Sequence, residues 1–238
     1  MQLSDVWDRV TGTQPTPPLA LVIAAAVVAL VAVWAYPVWR VARHVVTIAH
    51  EGGHALAALV TGRRLTGIRL HSDTSGLTLS KGKPTGPGMV ITLLCGYVAP
   101  PLLGLGGAAL LAAGHITALL WLSLPPLFGM LVMIRNPFGV VSVVTTGAIV
   151  FAVSWFAPPQ AQAAFAYLAV WFLLVGGVRP VFELQRQRSR GRAPSSDADQ
   201  LAWLTRVPGL VWVSLFGLAA LGALVFGGQL LLPLSEVR

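Results

Sequence analysis

Residues 47–58 read TIAHEGGHALAA and hold three ionisable side chains, His50, Glu51 and His54, within an otherwise apolar stretch. Residues four apart lie on the same face of a helix, so His50 and His54 are spaced for two imidazoles to bind one metal ion. Glu51 projects from the adjacent side, where a carboxylate can act as a general base without ligating the metal. The pattern predicts a helix that carries the site of a zinc hydrolase.

The composition of the whole chain is that of a membrane protein. Of its 238 residues, 55% are hydrophobic and only 10% are charged, and the mean hydropathy is +0.76. These values exclude a soluble domain with a polar surface. A charge at the centre of a membrane helix costs on the order of 2.5–3.5 kcal/mol, so three ionisable residues within five positions require a compensating role such as metal binding.

Seven apolar runs approach the length of about 20 residues that crosses the hydrocarbon core. These predicted transmembrane helices cover residues 19–39, 41–61, 87–113, 115–134, 138–157, 162–180 and 208–232. If the N terminus is cytoplasmic, most Lys and Arg residues fall on the inside and only Arg40, Arg43 and Arg238 fall outside, as the positive-inside rule expects. The net charge of +8 then marks cytoplasmic loops and does not require a nucleic-acid partner.

Two polar stretches interrupt the helices. Residues 63–82 predict a β-hairpin between the second and third helices, with Leu65, Ile68 and Leu70 in its first arm. An exposed edge strand binds extended peptides, so these three residues are the expected substrate contacts. Residues 183–206 predict a cytoplasmic loop. With an N-terminal tail at residues 1–18, the prediction is one membrane-embedded domain over residues 1–238, an all-α polytopic fold with one small hairpin.

Residues 47–58, the short β element after them and the Gly-rich helix that begins at Gly86 resemble the site-2 protease family of intramembrane zinc metalloproteases. The run GYVAPP at 96–101 is similar to the small-residue segment of that family, which packs beside the helix that carries the two metal-binding histidines (the metal helix). The resemblance implies one Zn²⁺ per chain held by His50 and His54, with Glu51 as the catalytic residue. It also implies a transmembrane protein as substrate within a lipid bilayer, expected to be a bacterial plasma membrane.

The third metal ligand departs from the family pattern, which supplies an Asp after a Leu or an Asn-Pro on a later helix. Residues 136–139 read NPFG, with Phe138 where the Asp would fall. Asp197, within SSDA at 195–198, resembles an element of a divergent, membrane-only branch and is the preferred ligand, with Asn136 second and Asp199 third. The alternative role of Asp197 is a helix N-cap, and that of Asn136 is a turn before proline.

Two other functions are compatible with the sequence. A membrane scaffold that keeps the fold without catalysis would explain the missing family Asp. A transporter with a polar intramembrane site would be expected to show paired broken helices. The oligomeric state has no sequence signal.

Overall fold

The computed structural model describes residues 7–8, 10–191, 193 and 195–232. Parts of the predicted N-terminal tail (1–6 and 9), of the predicted 183–206 loop (192 and 194) and of the predicted domain's C-terminal end (233–238) lie outside the described residues. The elements are, in chain order, α1 (Leu19–Trp34), α2 (Tyr36–Val60), β1 (Arg64–Leu70), β2 (Gly76–Lys81), α3 (Pro87–Ala112), α4 (Ile116–Met133), α5 (Pro137–Phe156), α6 (Pro159–Arg188), α7 (Asp197–Thr205) and α8 (Gly209–Leu231).

The predicted class, a helical membrane protein with one small β-hairpin, is confirmed, but the first two predicted spans differ. Helices α3, α4, α5, α6 and α8 are long and apolar enough to cross a membrane, whereas α1 and α2 form a pair bent by 102°. Counting that pair as one crossing gives up to six spans in the described chain rather than seven. The break falls at Ala35, which is extended. Pro37 lies in the first turn of α2, where its missing N–H breaks no helical hydrogen bond.

A cluster of charged and aromatic side chains joins the bend to α6. Glu183 Oε1 accepts hydrogen bonds from Trp39 Nε1 at 3.1 Å and from Arg179 Nε at 2.8 Å. Glu183 Oε2 pairs with Arg43 Nη1 at 2.9 Å, and the Arg179 guanidinium lies 4.9 Å from the centre of the Trp39 ring. Arg43 was expected outside the membrane and Arg179 inside, whereas the structure brings both side chains to Glu183.

The two ends of the helix bundle can be distinguished by their contacts. At one end, the Gln14 N–H donates to the Gly114 carbonyl at 2.8 Å, next to the turn between α3 and α4. At the other end, α3 begins beside Thr61, and α4 ends at a strand bridge between Ile68 and Ile134. The N-terminal segment and the hairpin were expected on the same side of the membrane, whereas residues 12–14 and the hairpin lie at opposite ends of the bundle.

Strands β1 and β2 pair antiparallel, which confirms the predicted hairpin. The other edge of β1 is already occupied: Ile68 O accepts from the Arg135 N–H at 2.9 Å, and the Asn136 amide hydrogen-bonds both backbone groups of Leu70. Ile68 and Leu70 are 0% and 1% exposed. These predicted substrate contacts therefore do not form an open edge. No backbone hydrogen bond joins the outer edge of β2 to another part of the described chain.

The predicted 183–206 loop is largely helical. Helix α6 continues to Arg188, because Gln and Arg are good helix formers, and the chain turns at Gly191, where φ is +66°. Helix α7 then packs against α3 and α8, with Ala198 and Leu201 fully buried. The return of the chain carries Asp197 back against the helix bundle.

Candidate metal centre

Helix α2 and the first residue of α7 bring three potential ligand atoms together. His50 Nε2 and His54 Nε2 are 3.1 Å apart, and Asp197 Oδ2 lies 3.3 Å from each. The two histidines are one helical turn apart, as their spacing predicts. Asp197 reaches them from a segment about 140 residues later in the chain.

This triangle has the size that zinc requires. In a tetrahedral site with zinc–ligand distances of 2.0–2.1 Å, neighbouring ligand atoms lie about 3.3 Å apart. Two imidazoles and one carboxylate are also a ligand set typical of catalytic zinc, because they leave a fourth position open. The His54 Nδ1–H donates to the Thr92 carbonyl oxygen at 2.7 Å, so Nε2 is the nitrogen directed toward Asp197 and available to a metal. The residues therefore fit a zinc ion.

The first turn of α7 explains how Asp197 reaches the histidines. Ser196 is the N-cap residue, with its hydroxyl accepting from the Asp199 N–H, so the alternative of Asp197 as N-cap is not found. The Asp199 carboxylate accepts from Arg188 Nη2 at 2.6 Å and from Ser196 Oγ at 2.7 Å. Asp199 is therefore turned away from the triangle, and the Asn136 amide is engaged with Leu70.

Asp197 carries a charge suited to a metal ligand. Burial alone would raise the pKa of its carboxyl group, but the charge of His54 and hydrogen bonds from both imidazoles hold that pKa below its ordinary value. A carboxylate must be deprotonated to bind a metal. Asp197 meets that requirement at neutral pH.

Glu51 lies between α2 and the hairpin and is 4% exposed. Its Oε2 accepts a hydrogen bond from Thr78 Oγ1 at 2.6 Å. Gly76 packs so closely against the same carboxylate that a Cβ there would overlap it. Glu51 was predicted but its two partners on β2 were not, because no local pattern connects residues 25 or 27 positions apart.

Helix α3 forms the other wall of the centre. A Cβ on Gly96 would lie 2.8 Å from His50 Cε1 and still nearer to the His54 ring, so only glycine allows this approach. The Tyr97 ring meets His50 edge to face, with the centres 4.8 Å apart. Gly53 of α2 faces the backbone of α3 at similarly close range. The predicted packing of a small-residue segment beside the metal helix is thus found here.

Comparison with known proteins gives one family. The family model described as Peptidase M50B-like matches residues 23–227. This range includes α2, the hairpin and α7, so it contains all three members of the ligand triangle and Glu51. No curated protein and no solved structure matches the chain.

Proposed function

The chain belongs to the Peptidase M50B-like family, a site-2 protease family, and from this premise we propose that it is an intramembrane zinc metalloprotease. Its substrates are membrane proteins, cleaved in or near their transmembrane segments. The observation that supports the proposal most strongly is the convergence of His50, His54 and Asp197 within 3.1–3.3 Å of one another. One membrane-embedded domain over residues 1–238 accounts for this activity.

His50, His54 and Asp197 would hold the zinc ion, and Glu51 would act as the base. Zinc in such a ligand set supplies Lewis acidity, which makes water a nucleophile near neutral pH. The Glu51 carboxylate takes the proton from the attacking water and returns it to the leaving amine nitrogen. Thr92 fixes the His54 ring through Nδ1, and the burial of Glu51 limits access of bulk water to the base.

The outer edge of β2 is the proposed binding strand for an extended substrate. It lies on the strand whose Gly76 and Thr78 contact Glu51, so a peptide paired with it would run past the base. The Leu77 and Leu79 side chains are about half exposed on the opposite face of the same strand. We expect Leu77→Ser with Leu79→Ser to raise KM for a transmembrane substrate while zinc content stays unchanged. An unaltered KM would remove β2 from the binding site.

The hairpin end of the bundle faces the cytoplasm in this proposal, and residues 12–14 face the other side. Lys and Arg are concentrated at the hairpin end, whereas the turns at 113–115 and 157–158 contain none. A cysteine at Thr13, in a Cys95→Ala background, should react with an impermeant maleimide on intact cells. A cysteine at Lys83 should react only after permeabilisation. Labelling of both from the same side would refute the six-crossing arrangement.

Glu51→Gln tests the enzymatic function directly. The purified variant in proteoliposomes should bind one zinc ion per chain like the wild type and should lose cleavage of a transmembrane substrate by at least about 100-fold. If the wild-type protein binds zinc but cleaves no substrate, and the Glu51→Gln variant behaves in the same way, the protein is a scaffold and the proposal is contradicted. Absence of zinc from both proteins would contradict the metal centre.

A further inference from the structure

The Glu51 side chain is held by the hairpin as well as by its own helix. Thr78 Oγ1 donates to Glu51 Oε2 at 2.6 Å and also lies 3.3 Å from the Glu51 carbonyl oxygen. One turn earlier in α2, Thr47 Oγ1 donates to the Thr74 carbonyl oxygen at 2.9 Å. The hairpin is thus attached to the metal helix at two successive turns, on the side that carries the base.

A buried carboxylate needs such a partner. A glutamate side chain has three rotatable bonds, and fixing it in one conformation costs conformational entropy. A carboxylate buried without a hydrogen-bond donor is also penalised. The donor at 2.6 Å and the close backbone of Gly76 leave the carboxylate little freedom to turn away.

We propose that Thr78 is a positioning residue that holds the Glu51 carboxylate in the orientation required for proton transfer. The inference rests on the proposed protease function. It adds a role for β2 beyond binding, because the strand that offers an open edge to a substrate also carries the donor to the base. Pairing of a peptide with β2 would therefore stabilise the strand and the base together.

The role makes a specific kinetic prediction. Thr78→Val keeps the shape of the side chain but removes the donor, so kcat should fall by about 10- to 100-fold, while KM and zinc stoichiometry stay near the wild-type values. Thr78→Ser retains the donor and should restore most of kcat. Thr66→Val is the matched control, because Thr66 Oγ1 donates to the Leu79 carbonyl oxygen on the same hairpin and does not touch Glu51.

A second measurement tests the contact without relying on activity. Thr78→Val should lower the melting temperature of the zinc-loaded protein by about 5 °C. In a Glu51→Ala background the same substitution should lower the melting temperature by less than about half of that amount. Thr66→Val should lower the melting temperature by the same amount in both backgrounds.

The two measurements separate this inference from the proposed function. If the wild-type protein shows no proteolysis, the proposed protease function is contradicted. The comparison of melting temperatures with and without the Glu51 side chain still decides whether Thr78 holds Glu51. Additive melting shifts, or a Thr78→Val variant with wild-type kcat in a cleaving protein, would overturn the role of Thr78. Loss of kcat that serine does not restore would assign Thr78 to packing and overturn it equally.

Discussion

Gly96→Ala should disrupt zinc binding by displacing the two imidazoles. The added Cβ would lie 2.8 Å from His50 Cε1 and nearer to the His54 ring, whereas ordinary contact begins at 3.4 Å. In a close-packed interior the His50 ring must therefore retreat by about 0.6 Å, and the His54 ring by more. Zinc–ligand distances tolerate a change of about 0.2 Å. Removal of a residue that orients a metal ligand weakens metal binding by up to about 100-fold. We expect the zinc dissociation constant of Gly96→Ala to rise by a similar factor, about 100-fold.

A chelator of known affinity, titrated against the purified protein, measures this change. Gly106→Ala is the matched control, because Gly106 lies on the same helix and no atom of the described residues lies within 4 Å of its added Cβ. Both substitutions favour α3 by about 1 kcal/mol through helix propensity, so the control should melt at or above the wild-type temperature. A Gly96→Ala protein that binds zinc as tightly as the wild type would show that the imidazoles do not need their present positions.

Three other changes should give distinct results. Asp197→Ala should abolish zinc binding while Asn136→Ala retains it, as metal analysis of the purified proteins will show. Glu183→Gln should lower the free energy of unfolding by about 2 kcal/mol in denaturant titrations, because the carboxylate accepts two hydrogen bonds and pairs with a guanidinium. The Ser75 hydroxyl and amide hold the pKa of Asp73 below its ordinary value, so this stabilisation of the hairpin turn is present above about pH 4 and is lost as the pH falls through the lowered pKa. The protection factor of the Ser75 amide against hydrogen exchange should fall at low pH in the wild type but not in Asp73→Asn.

The sequence predicted the parts of the centre that depend on local spacing. His50 and His54 lie one turn apart on a helix, and the hairpin follows where β-type alternation and turn residues occur. Apolar runs likewise predicted α3 to within a residue or two. Such features depend on residues close together in the chain, so their periodicity is visible without a structure.

The bend between α1 and α2 could not be predicted in the same way. An apolar run that extends from residue 19 to residue 39 is long enough for a straight membrane helix, and Pro37 is compatible either with the end of one helix or with the first turn of another. The contacts that select the bend join Trp39 and Arg43 to Glu183, some 140 residues later. In the proposed six-crossing arrangement the N-terminal segment lies on the other side from the hairpin because of this one break, since a bent pair adds one crossing where two separate helices would add two.

Asp197 and Asp199 show why the third ligand also depended on distant contacts. Both carboxylates stand in the first turn of α7, and their side chains have the same chemistry. Arg188 distinguishes them: it binds Asp199 and leaves Asp197 to the two imidazoles. Arg188 is the last residue of α6, in a stretch that the sequence predicted to be a loop. The length of α6 thus determines which aspartate reaches the histidines, and an Arg188→Gln substitution should weaken zinc binding although Arg188 touches none of the three ligands.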